Sequence, residues 1–213
     1  MIDETTQESQ QEIWDSIAGG WSPFKQKPVP EIAPLLKKYA ESWHNGKVLE
    51  IGCGNCRNLL LFSYNNFDCY GIDFSKKMLE MSGQYCKKHD LGVKLKYGSA
   101  TKIPFPDKSF DYVLSISMLH HLNSKDRTQA VKEIKRVLKF NGKAVITVWN
   151  KMQKRFILKK KDIFVPWHTK EKTHQRYYHL FTGWELSGLL KKEGFKIIQK
   201  NTFGRNLIFV VEK

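Results

Sequence analysis

Apolar positions change their rhythm along the chain. Over the first 45 residues they recur at three- and four-residue spacing: Ile13, Trp14 and Ile17 share one helical face, and Ile32, Leu35, Leu36, Tyr39 and Trp43 share another. Between these stretches, Gly19-Gly20 and the prolines at 23, 28 and 30 predict a loop. From Lys47 onward, short β-branched runs alternate with helical stretches, the signature of an α/β chain. Strands are predicted at 48–51, 69–73, 93–97, 112–117, 143–149, 196–202 and 207–211. Ser75 predicts the N-cap of a helix running through Lys87. Ser124 or Asp126 begins another, which buries Ala130, Ile134 and Leu138 and stops before Asn141-Gly142. The last two strands are separated only by the Gly-containing segment 203–206, so they form an antiparallel hairpin. The expected architecture is α/β: a seven-stranded, mostly parallel sheet with helices on both faces, an N-terminal helical extension and a C-terminal antiparallel hairpin.

Composition narrows this picture. A chain of 213 residues, 41% hydrophobic, can bury one sizeable core and is short for two domains. The expectation is a single domain of four parts: N-terminal helices at 1–45, a core at 46–149, an insert at 150–180, and a last helix with the closing hairpin at 181–213. The longest apolar runs, such as 207–211 and 144–149, fall far short of the roughly 20 residues that span a bilayer. The acidic, polar start at 1–16 does not read as a secretory signal, so no membrane association and a cytoplasmic location are expected. Four cysteines, at 53, 56, 69 and 86, read as reduced thiols. Cys53 and Cys56 form one C-x-x-C with no second to complete a metal site, so no metal is expected.

Net charge is +15, and its distribution is uneven. Residues 1–20 hold five acids and no Lys or Arg, whereas 150–180 hold nine bases against two acids, together with His168, His174 and His179. That segment, predicted as a long connection, points to a polyanionic partner.

The chemistry concentrates in residues 47–58, KVLEIGCGNCRN, where an apolar strand runs into a glycine-rich turn that opens a helix. Gly52 and Gly54 allow a ligand close to the main chain, and Asp73, at the end of the second strand, is placed to accept hydrogen bonds from both ribose hydroxyls of an adenosine. A dinucleotide fingerprint would need a third glycine where this chain has Arg57. Glu50 suits a cofactor carrying an ammonium and a sulfonium better than a pyrophosphate. The pair favours S-adenosylmethionine, with Cys53, Asn58 and Phe74 in the same candidate site.

Here the sequence resembles the Rossmann-like, seven-stranded S-adenosylmethionine-dependent methyltransferases, across 47–213. The resemblance implies an adenine contact after the third strand, where the family usually has Gly-Asp-Ala and this chain has Gly98-Ser99-Ala100. It also implies that Ser115 and Ser117 sit beneath the methionine portion. Five further marks resemble the tRNA methyltransferases that esterify a carboxymethyl group on the wobble uridine: IWDSIAGGWS (13–22) followed by Lys27-Pro28, HHL (120–122), VW (148–149), FVPWH (164–168) and RYYHLF (176–181). That resemblance implies a tRNA anticodon loop as substrate and a small zinc-binding activator subunit as partner. The activator would lie at an apolar sheet edge, and strand 93–97 is an expected edge.

On this reading His120, Trp149, Arg176 and Tyr177 position the modified base and its carboxylate. Lys27, Lys154, Arg155, Lys159, Lys160 and Lys161 meet RNA, as do His121, His168, Tyr178 and His179. Lys25 stands where the family commonly has an arginine, and lysine lacks the bidentate fork that grips an anion. A carboxylate, with an ordinary pKa of ~4, is ionised at neutral pH, so it can attack a sulfonium methyl without a general base. Two readings compete: a small-molecule O- or N-methyltransferase using His120 or His121 as base, and a non-catalytic RNA-binding protein, against which Gly52, Gly54 and Asp73 speak.

Overall fold

The computed structural model describes residues 6–213; Met1–Thr5, the start of the acidic stretch, lie outside the described residues. Seven strands form the main sheet: β1 (Lys47–Ile51), β2 (Asp68–Asp73), β3 (Val93–Tyr97), β4 (Phe110–Ile116), β5 (Leu138–Trp149), β8 (Lys196–Asn201) and β9 (Asn206–Glu212). Their order is β3-β2-β1-β4-β5-β9-β8, parallel from β3 to β5, with β9 antiparallel to both β5 and β8. The expected sheet and closing hairpin are therefore present, and β3 is an edge.

Alternation along the strands sends neighbouring side chains to opposite faces. Ala144, Ile146 and Val148 pack with Ala130 and Ile134 of α5 (Ser124–Val137) and Leu186 and Leu190 of α6 (Gly183–Lys192). Val145 points the other way, into a layer with Leu36 of α2 (Ala33–Ser42), Phe62 of α3 (Leu60–Ser63) and Tyr85 of α4 (Lys76–Lys88). Phe62, Phe110 and Phe209 are fully buried, and truncating one such ring to alanine costs about 3 to 5 kcal/mol.

Four expectations change. The Gly19-Gly20 pair lies inside α1 (Thr6–Trp21), not in a loop. Tertiary anchors override the weak helix propensity of glycine there: Asp15 accepts from the Ser75 hydroxyl (2.6 Å) and the Lys77 amide (3.1 Å) at the start of α4. The cap of α5 is Asn123, whose side chain accepts from the Asp126 amide, so Ser124 and Asp126 are inside the helix. Helix α5 also ends at Val137, and Leu138 already belongs to β5, which pairs with Phe110 before a register shift. Finally, the basic connection is not a loop. Residues Asp162–His168 (β6) and Thr173–His179 (β7) form a separate two-stranded antiparallel sheet, in which Val165 faces Arg176 and Ile163 faces Tyr178.

That hairpin is bolted to α1. The Gln10 side chain donates to the Gln175 carbonyl (3.2 Å) and accepts from the Tyr177 amide (2.9 Å). Together, α1 and the hairpin roof the C-terminal ends of the parallel strands.

Candidate active site

A cavity of about 460 Å³ opens where β1, β2, β4 and β5 end, within the size range of small-molecule sites. Its floor is built by the turn after β1. Gly52 and Gly54 have φ of +66° and +57°, and a Cβ at Gly52 would fall 2.6 Å from Met118 Cγ. Only glycine fits that bend without displacing the loop after β4. Asp73 closes the floor, accepting from the Gly54 amide (3.0 Å) and the Ser75 amide (2.9 Å). Burial raises its pKa to about 6 against the pull of those two amides.

Cys53, Asn58, Phe74, Ser99, Ala100 and Ser117 also line the cavity. Ser99 is engaged with Thr101, both hydroxyl to hydroxyl (2.9 Å) and through the Thr101 amide (3.2 Å). Two predicted cofactor residues stand back from the wall. Ser115 is buried, and its hydroxyl has no partner among the described residues. Glu50 lies behind Asn58, whose amide donates to one of its oxygens (2.7 Å). Its other oxygen is buried and unpartnered among the described residues, and desolvation raises its pKa to about 8. A glycine cradle too tight for a Cβ, a buried aspartate at its end and a spare carboxylate oxygen beneath it fit an adenosine ligand with a cationic tail.

The roof has the opposite character. His120, His121, Trp149 and Tyr178 pack as one aromatic cluster: Trp149 stacks on Tyr178 (4.3 Å), Tyr178 on His120 (5.0 Å), and His121 meets Tyr178 (4.4 Å) and Trp14 (5.0 Å) edge-on. The Trp149 amide donates to His120 Nδ1 (3.1 Å), which fixes that nitrogen as an acceptor and leaves the proton on Nε2. Burial, with the neighbouring His121, His179 and Arg176, holds the His120 pKa well below its ordinary value. Burial also lowers His121 to about 4, while its Nδ1 sits 3.0 Å from the Tyr177 carbonyl. Both rings are neutral at physiological pH.

Arg176 lies above them, ringed by Trp167 (5.1 Å), Tyr178 (5.5 Å) and Trp14 (5.8 Å). It is 8% exposed, its Nε is buried without a partner among the described residues, and one terminal nitrogen reaches the Pro166 carbonyl only at 3.5 Å. A buried guanidinium left this short of acceptors is costly unless a ligand completes it. Lys25 shares the cavity, and burial, Arg57 and Arg176 together lower its pKa. The roof is a cationic, aromatic half-shell.

Residues 49–146 match the profile of a methyltransferase domain. A protein of Encephalitozoon cuniculi, provisionally named a methyltransferase, is 34% identical over 190 residues, covering 84% of this chain and 85% of its own length. The chain belongs to this methyltransferase family. The tRNA (carboxymethyluridine(34)-5-O)-methyltransferase of Schizosaccharomyces pombe is 29% identical over 95% of both chains. Among solved structures, a Pyrococcus horikoshii protein superposes with a TM-score of 0.73 at 25% identity, over 86% of this chain and 88% of its own. A Burkholderia thailandensis 1,6-didemethyltoxoflavin-N1-methyltransferase holding S-adenosylhomocysteine shares the fold at a TM-score of 0.73 and 16% identity, over 97% of this chain and 88% of its own. The glycine cradle, Asp73 and the spare Glu50 oxygen fit S-adenosylmethionine as the methyl donor of such an enzyme.

The methyltransferase brings the four predicted positioning residues to one cavity, though Tyr177 differs from the rest. Its hydroxyl is spent on Asp162, and burial, then that bond, pushes its pKa to about 12. His179, expected to meet RNA, is 3% exposed and lies away from the cavity wall, 2.7 Å from both Asp162 and Glu185. Lys161 pairs with the other oxygen of Glu185 (2.8 Å). Burial opposes ionisation of that glutamate, yet the bonds from His179 and Lys161 hold its pKa down to about 2. These four side chains brace the hairpin. Lys27, Lys154, Lys159, Lys160 and His168 are exposed and outside the cavity, whereas Lys25, His121, Arg155 and Tyr178 line it.

Several cavity residues escape sequence reading. Gln10, Trp14 and Trp21 come from α1, Arg205 from the turn before β9 and Asn206 from its first residue. Trp14 was legible as a helix-face residue, but nothing in its spacing says that the face covers a cavity. Arg57 lines the wall with its guanidinium over Trp21 (5.3 Å), an anchor that only the folded α1 reveals.

Proposed function

We propose that this methyltransferase esterifies the carboxymethyl group of a 5-carboxymethyluridine at the wobble position of a tRNA anticodon. The observation that carries the reading is Arg176, a buried guanidinium with an unsatisfied nitrogen, facing the cavity that Asp73 floors. Arginine pairs with a carboxylate through parallel hydrogen bonds. The names of the Schizosaccharomyces pombe relative and of an Arabidopsis thaliana protein, 32% identical over 64% of this chain and 31% of its own, support the same substrate.

When bound, S-adenosylmethionine supplies an electrophilic methyl on a sulfonium. Gly52, Gly54 and Asp73 would hold the adenosine end, with Glu50 and Asn58 beneath the amino acid end. Arg176 and Lys25 orient the substrate carboxylate, and Trp149 and Tyr178 offer faces to the flipped base. His120 stays neutral and needs to move no proton, because the nucleophile is already ionised. Holding two reactants in line contributes on the order of 7 to 11 kcal/mol, which is the main task left to the protein. A small-molecule acceptor deprotonated by His120 would leave Arg176 without an anion.

The exposed lysines of the insert meet tRNA phosphates on this reading. A small zinc-binding activator subunit covers the β3 edge, where Val93 and Leu95 are only partly buried and Tyr97 is 49% exposed. No described helix is long and apolar enough to cross a membrane, and the four buried free thiols suit the cytoplasm. The test incubates the protein, with and without the activator, with labelled S-adenosylmethionine and tRNA carrying carboxymethyluridine. A base-labile methyl ester is expected; its absence in both arms overturns the proposal.

A further inference from the structure

Two aromatic rings stand in water just outside the cavity. Trp184 is 90% exposed and Phe203 is 85% exposed. Trp184 belongs to the first turn of α6 and Phe203 to the turn between β8 and β9, yet the two elements touch: a Cβ on Gly183 would lie 2.7 Å from Thr202 Cγ2. Rings of this size contribute to stability when buried, so leaving both outside calls for a partner.

The turn that presents Phe203 is held firmly. The Asn150 side chain donates to the carbonyls of Thr202 (3.1 Å) and Gly204 (3.0 Å), and the Asn150 amide and the Gln153 side chain both donate to the Arg205 carbonyl (3.0 and 2.9 Å). The same turn runs directly into the cavity wall, because Arg205 and Asn206 line it and Asn206 pairs in register with Trp149. The rings therefore sit at the open end of the sheet, a few residues from the cavity wall. Segment 150–160, hydrogen-bonded to this turn, carries exposed Lys154, Arg155, Lys159 and Lys160. The nearby acids are already committed, Glu185 to Lys161 and His179, and Glu31 to Arg205.

We propose that Trp184 and Phe203 form a stacking platform for the unpaired nucleotides that adjoin the target uridine. Single-stranded RNA is bound by cations that track its phosphates and by aromatic faces on which its bases stack. Both are present here, continuous with the cavity that receives the flipped base. The centre of a protein interface is depleted of charge, whereas the turn that carries Phe203 is bonded to a segment with exposed lysine and arginine. The inference rests on the tRNA reading above.

The test uses the full chain and two labelled RNAs of equal length, an anticodon stem-loop containing carboxymethyluridine and a continuous duplex, followed by fluorescence anisotropy. The double variant W184A/F203A binds the stem-loop roughly tenfold or more weakly. Its salt slope, duplex affinity, S-adenosylhomocysteine affinity and Tm stay as in the wild type, and W184F, which keeps a ring, retains most of the affinity. If the wild type prefers the stem-loop and the double variant binds it equally well, the platform is wrong while the tRNA reading stands; a simultaneous change in sedimentation mass assigns the rings to a protein contact. If the wild type does not prefer the stem-loop, both fail. If the double variant is unfolded, F203A alone is measured, and unchanged stem-loop affinity overturns the platform.

Discussion

The floor and the roof of the cavity differ in both charge and construction. The floor is made of strand ends and a glycine turn, and its buried carboxyls are Asp73 and, just beneath it, Glu50, with the Arg57 guanidinium on the wall beside them. The roof is made of α1, the β6–β7 hairpin and the turn after β4, and its groups are Lys25, Arg155, Arg176 and two neutral imidazoles among aromatic rings, together with one carboxylate, Asp126, which the Asn123 side chain engages. The methyl donor is a cation and the proposed acceptor an anion, so Asp73 on the floor suits the first and Arg176 with Lys25 on the roof suits the second. Backbone amides set the floor geometry, whereas the roof depends on side-chain fastenings such as Gln10 to the Gln175 and Tyr177 backbone. On the proposed reading, one cavity orders two oppositely charged ligands.

Three variants break this division in different places. The largest effect concerns Glu50. With its pKa raised from 4.5 to about 8, the folded protein holds a proton that the unfolded chain has released between those values. Stability is then full below about 4.5 and falls as pH rises through 8, by on the order of 5 kcal/mol. Thermal melts of ligand-free wild type against E50Q should show this slope in the wild type and its loss in the variant; parallel curves would mean that Glu50 is charged throughout.

Asp73→Asn comes next. It removes the charged acceptor at the floor, and calorimetry should find S-adenosylhomocysteine bound on the order of a hundredfold more weakly, with stem-loop RNA affinity unchanged. Equal losses for both ligands would erase the distinction between floor and roof. The smallest effect belongs to the insert. Replacing Lys159, Lys160 and Lys161 by alanine should weaken tRNA binding several-fold and reduce the salt slope by about two rather than three, because Lys161 is already paired with Glu185. An unchanged slope would remove the insert from the RNA path.

The same division explains what was legible in the sequence. The floor lies on strands and turns whose signals are local: the alternation of β1, the two glycines, and an acid at the end of β2. The strands and the closing hairpin followed from the same short-range patterns, whereas the order of the strands across the sheet did not. The roof is made by contacts far apart in the chain. Thr173–His179 reads as a string of polar and aromatic residues with no clear alternation, because β7 is buried along His174 and 176–179 by α1 and the aromatic cluster. Its partner Asp162–His168 contains Pro166, which obscured the strand. The Gly19-Gly20 pair looked like a helix end for want of the Asp15 anchor on α4. Likewise, the roles of His179 and Lys161 were hidden, since the acid that engages both, Glu185, sits on the following helix.

The claim that the roof selects an anion is tested most directly through Arg176. The affinity of wild type and Arg176→Ala is measured for two anticodon stem-loops, one carrying the carboxymethyl acid and the other its methyl ester, with S-adenosylhomocysteine present. The wild type should prefer the acid by roughly tenfold or more, as expected of a charge-assisted hydrogen bond to a carboxylate, and Arg176→Ala should bind acid and ester alike. A preference for the acid that survives in Arg176→Ala would contradict the account.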